Sequence, residues 1–144
     1  HANLVLLDSG RKGILGVKQT DWLTEQLDRC SDKPALVFGH FNPLPTRGVR
    51  PSRGMPEGRA LLKLLARRKH AKAYIHGHTH DWQHSEEGTV QIIGQPPVSY
   101  YFGKGHAHGW IDMKLSEKSA DLELHCIDPK HKQNGAQRQI LFIS

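Results

Sequence analysis

Three histidines stand at alternate positions in AYIHGHTHDW, residues 73–82, as His76, His78 and His80, and a fourth, His40, closes the run ALVFGH at residues 35–40. Neutral imidazoles are ligands for Zn, Mn, Fe, Co and Ni, whereas Mg and Ca ask for more oxygen donors, so clustered histidines point to transition-metal chemistry. The repeat does not establish this unaided. With 11 histidines in the chain, chance supplies roughly one His-x-His pair. The surroundings carry more weight: His40 and His78 each follow a glycine at the end of an apolar run, and glycine allows a sharp turn and close approach of the backbone to an ion.

The elements that must position these residues are readable around them. ALVFGH and AKAYIHG, residues 71–77, have the composition of buried strands. Between them GRALLKLLARRK, residues 58–69, carries an apolar stripe of Leu61, Leu62, Leu64 and Leu65 and ends in Arg67, Arg68 and Lys69, the charge that suits a helix C-terminus. Parallel strands joined by a helical crossover end on the same edge of their sheet, and at that edge open α/β sheets bind ligands. His40 and His78 are therefore expected on one rim, with His80 reaching the same crevice from the departing loop. His76, still within its strand, is expected to be buried and hydrogen-bonded.

Upstream, LVLLDS (4–9) reads as a buried strand stopped by turn residues, and GVKQTDWLTEQLDRC (16–30) as an amphipathic helix with Trp22, Leu23, Leu27 and Cys30 on its apolar face. The segment 41–58 is too dense in proline and glycine for regular structure and reads as a long loop. It carries Arg47, Arg50 and Arg53 at three-residue intervals, guanidinium groups able to hold a phosphate in a fork, and Asn42, a candidate substrate contact. Past His80, TVQIIGQ, GWIDMKLS, DLELHCID and QILFIS read as short antiparallel strands. His106 and His108 in GKGHAHGW imitate the earlier motif but read as a β-turn. The expected architecture is α/β over residues 1–82, turning β-rich over 83–144, within a single domain.

Bulk composition narrows the classes. A chain of 144 residues closes a core without cross-links, and Cys30 and Cys126 lie far apart with no C-x-x-C, which argues against a zinc ribbon or a disulfide framework. No apolar run approaches the length of a membrane span, so a soluble, cytoplasmic protein is expected. The net charge of +6 attracts phosphate-bearing ligands. It also motivates a nucleic-acid-binding module, a reading weakened because exposed aromatics are not interleaved with the basic residues.

LVFGHFNPLP followed about forty residues later by IHGHTH resembles the second half of a calcineurin-like metallophosphoesterase, and LVLLDSG with TDWLTEQLDR resembles the preceding stretch in its cyclic-nucleotide phosphodiesterase-like branch. The resemblance covers residues 4 to about 82 well and the remainder in outline. It implies the C-terminal part of a two-sheet α/β sandwich, with His40 and His78 matching ligands of one metal and His80 a ligand of a second. Two divalent transition ions (Mn, Fe, Zn, Co or Ni) would then lower the pKa of a water for attack on a phosphomonoester, cyclic nucleotide or other phosphodiester. The family's Asp-x-His, Gly-Asp and Gly-Asn-His-Asp/Glu motifs have no counterpart in this chain, so no catalytic residue is assigned here. Without a bridging carboxylate two neighbouring cations repel, and an N-terminal segment or another chain is expected to complete the site. The alternatives are a catalytically inactive truncated domain and the nucleic-acid module.

Overall fold

The computed structural model describes residues 1–47, 51–100, 103 and 105–142. In chain order the elements are β1 (Asn3–Leu6), α1 (Gly16–Arg29), β2 (Ala35–Gly39), α2 (Gly58–Ala66), β3 (Ala71–His76), β4 (Gln83–Glu87), β5 (Val90–Gly94), β6 (Gly109–Leu115), β7 (Ser119–Cys126) and β8 (Gln137–Leu141). The first five strands form one sheet in the order β1-β2-β3-β5-β4, and the last three form a second in the order β6-β7-β8.

Each face of the larger sheet is covered by a different layer. Val37, Tyr74 and Ile92 point toward the helices, where they meet Leu23 and Leu27 of α1 and Leu61, Leu62 and Leu65 of α2. Leu36, Ala73, Ile75 and Ile93 point the other way, into Leu122, Leu124 and Ile140 of the second sheet. The alternation of side chains along each strand makes both cores possible from the same few residues. α1 begins where the Glu57 carboxylate accepts the Leu15 and Gly16 N–H groups at 2.7 and 3.1 Å, which satisfies donors that a helix start leaves open and places negative charge at the positive end of its dipole. That contact ties the end of the 41–58 loop to the other helix.

The expected α/β architecture with a β-rich end is the one formed, with three corrections. β1 is an edge strand rather than a buried one. Leu4 and Leu6 are 51% and 71% exposed, because they share the face of Leu36 and Phe38, their β2 partners, and the second sheet leaves that flank uncovered. Trp22 is likewise 42% exposed, outside the apolar face of α1 that buries Leu23 and Leu27. Finally, TVQIIGQ supplies β5, which is parallel to β3. The chain reaches it through β4, an antiparallel partner whose sequence QHSEE gives no strand signal.

Candidate metal centre

Parallel pairing of β2 with β3 sets Gly39 opposite His76, so the two Gly-His corners leave the sheet side by side. The Gly77 N–H donates to the His40 carbonyl at 3.1 Å and stitches the corners together beyond the last ladder pair. His78 Nδ1 then lies 3.4 Å from His40 Nε2, with ring centroids 5.3 Å apart and planes nearly perpendicular. Two readings compete for that separation. It is longer than the usual 2.7–3.2 Å of an N–H hydrogen bond, whereas two nitrogens about 2.0–2.1 Å from one tetrahedral ion sit about 3.3 Å apart. The pair therefore fits two ligands of a single divalent ion.

His80 does not join them. Among the described residues no group of three or more His, Cys, Asp and Glu side chains is spaced to hold a metal ion, so the structure assembles a pair where three converging imidazoles were expected. The backbone supplies the reason. Strand alternation stops at His76, the Thr79 N–H turns back onto the Gly77 carbonyl at 2.6 Å, and Thr79 is buried. The strain also falls on different residues from those expected: His78 and His80 occupy the left-handed region, at φ 57° and 54°, while neither Gly39 nor Gly77 does. Left-handed backbone costs a non-glycine residue about 1–2 kcal/mol, and residues held there cluster at functional sites.

The glycine at each corner answers to packing. A Cβ at Gly39 would collide with the Tyr74 hydroxyl, but one at Gly77 would meet only ordinary contacts with His40. Tyr74 is fully buried, and its hydroxyl donates to the Phe41 carbonyl at 2.9 Å. Burial raises its pKa well above the ordinary phenol range. His76 is buried as expected, with Nδ1 2.9 Å from the Gly77 carbonyl. Burial depresses its pKa; the Gly77 carbonyl opposes that effect, and the charge of His40 adds to it.

The expected substrate contacts are less well placed. Asn42 is buried, and its amide donates to the Leu44 carbonyl, so it braces the loop instead of facing the crevice. Arg47 and Arg53 are exposed, and Arg50 lies outside the described residues. Of the second histidine cluster, His106 Nδ1 stands 3.8 Å from Asp81 Oδ1, and Gln83 also donates to that carboxylate, at 2.9 Å. His108 Nε2 meets the Val98 carbonyl at 2.6 Å. The sequence reading missed Phe41, whose ring touches both imidazoles, and Tyr74. Both lie within the quoted stretches, but neither is a ligand type, and each acts through a contact made across the fold.

No protein-family model matches the sequence. The chain is 31% identical over 130 residues to a probable cyclic nucleotide phosphodiesterase of Pseudoalteromonas sp. (strain SM9913), an alignment covering 85% of this chain and 48% of that protein. It is 28% identical over 130 residues to the 3′,5′-cyclic adenosine monophosphate phosphodiesterase CpdA of Haemophilus influenzae, covering 87% of this chain and 47% of that one. The fold matches a dimetal phosphatase from Danio rerio with a TM-score of 0.67 at 20% identity, over 91% of this chain and 40% of that structure. A mixed sheet backed by a small antiparallel sheet is the fold shared with that phosphatase, and the two Gly-His corners stand side by side on one rim of it. In sequence and fold the chain is similar to calcineurin-like metallophosphoesterases, and it spans about half the length of the curated relatives it matches.

Proposed function

We propose that this chain supplies His40 and His78 as ligands of one divalent transition ion, and His80 as a ligand of a second, in a phosphoester hydrolase whose remaining ligands come from outside these 144 residues. The observation that carries the reading is the 3.4 Å approach of His40 Nε2 to His78 Nδ1, a spread suited to one ion and held by backbone pairing on both sides. Ions bound there supply Lewis-acid charge for phosphoryl oxygens. The chain's own residues do the rest of the holding: β2 and β3 fix the corners, and the Gly77–His40 backbone bond fixes their spacing. Cyclic nucleotides are the favoured substrate class, supported by the names of both curated relatives. Exposed Arg47 and Arg53, together with Arg50, are the candidates for the substrate's phosphate.

The test is metal uptake and hydrolysis measured together. The full-length protein, loaded with Mn(II) or Co(II), should cleave bis(p-nitrophenyl) phosphate and a 3′,5′-cyclic nucleotide. His40→Ala and His78→Ala should each lower metal content and turnover in parallel. Variants that keep both at the unaltered level would remove the reading.

A further inference from the structure

The two imidazoles lean on a common wall. The Phe41 ring lies 4.9 Å from the His40 ring, edge-on, and 4.2 Å from the His78 ring at an interplanar angle of 39°. An imidazole at a strand end has two free torsions, and a neighbour that touches both rings removes much of that freedom. Phe41 is itself held from two directions. Its carbonyl accepts the Tyr74 hydroxyl, which arises from the neighbouring strand, and its ring packs over Gly13, where a Cβ would press on the ring at 3.1 Å. Gly13 has a φ of 70°, which glycine adopts without strain. Tyr74 in turn needs Gly39 beneath its hydroxyl.

We infer that Phe41, anchored by Tyr74, is a positioning residue that sets the His40 and His78 rings at the separation one metal ion requires. The side chain binds neither metal nor substrate; it limits the rotamers of the two rings that do. Only the affinity readout below rests on the metal-centre reading, since ring placement is measurable in the metal-free protein.

The experiment pairs nuclear Overhauser cross-peaks among the ring protons of His40, Phe41 and His78 in the metal-free full-length protein with a Co(II) titration of the same protein followed by visible absorbance. The unaltered protein should show His40–His78 cross-peaks. Phe41→Ala should lose them and bind Co(II) roughly tenfold more weakly or worse, the scale on which supporting residues act at metal sites. Phe41→Tyr, which keeps the ring, should restore both. Tyr74→Phe should weaken both in the same direction by less, and it serves as the deciding variant if Phe41→Ala does not fold. Cross-peaks and affinity unchanged in Phe41→Ala, or in Tyr74→Phe should that be the variant that folds, would overturn the inference. An unaltered protein that shows the cross-peaks but takes up no Co(II) would instead sink the metal reading and leave the positioning role standing.

Discussion

β3 and β1 are both short apolar strands in the parallel part of one mixed sheet, yet their surroundings are opposite. From Ala73 to His76 every β3 residue is buried, because β2 and β5 flank the strand and both covering layers reach it. β1 has one neighbour and alternates between half-buried and exposed residues. Asn3 and Leu7 donate to the Pro34 and Phe38 carbonyls, so the intervening Leu4 and Leu6 turn their peptide groups toward the open edge. An apolar run thus says that a strand will form and leaves open how many sides will be covered. Position in the sheet decides that, and the same position places the histidine corners: β2 and β3 are interior neighbours, so their ends are fixed to each other.

Substitutions that exploit this contrast differ widely in expected cost. Ile75→Ala in β3 should lower the unfolding free energy by about 2–5 kcal/mol in urea titration, the range for large-to-small changes in a packed core. Leu6→Ala in β1 should stay within about 0.5 kcal/mol, as exposed positions do; equal losses for the two would erase the distinction. Gly39→Ala should cost about 1–3 kcal/mol by forcing a side chain into the Tyr74 hydroxyl, and less in a Tyr74→Phe background, where the clashing oxygen is gone. Additive losses in that double-mutant cycle would break the coupling claimed between the two residues. The smallest effect belongs to Asp28 of α1, which pairs at 2.7 Å with Arg68, just beyond the end of α2. The Arg68 hydrogen bonds hold this carboxyl below its ordinary range. Its contribution is therefore present above the usual Asp pKa of about 3.9 and disappears as pH falls through the lowered value. Asp28→Asn should shift the midpoint slightly at neutral pH and not at all in strong acid.

The placement of the two Gly-His corners could be read in the sequence because its information is local. A glycine and a histidine closing an apolar run announce a strand end, and the helix between two such runs makes them parallel neighbours. The Leu61, Leu62 and Leu65 stripe gave α2 the same way. Features that depend on non-local neighbours were hidden. β4 is polar along its whole length, since it lies at the sheet's other edge, and β8 begins at Gln137, in the polar stretch ahead of its apolar residues. The exposure of Leu4, Leu6 and Trp22 depends on where the second sheet stops. The left-handed backbone at His78 and His80 follows from a turn whose sequence contains a glycine that does not itself take the strain. Phe41 and Tyr74 lie 33 residues apart, and nothing in either segment announces the contact.

The most direct test of the central claim is anomalous diffraction from crystals of this protein grown with Zn(II). A peak within bonding distance of both His40 Nε2 and His78 Nδ1 is the predicted result. Zinc bound elsewhere, with the two rings turned apart, would contradict it.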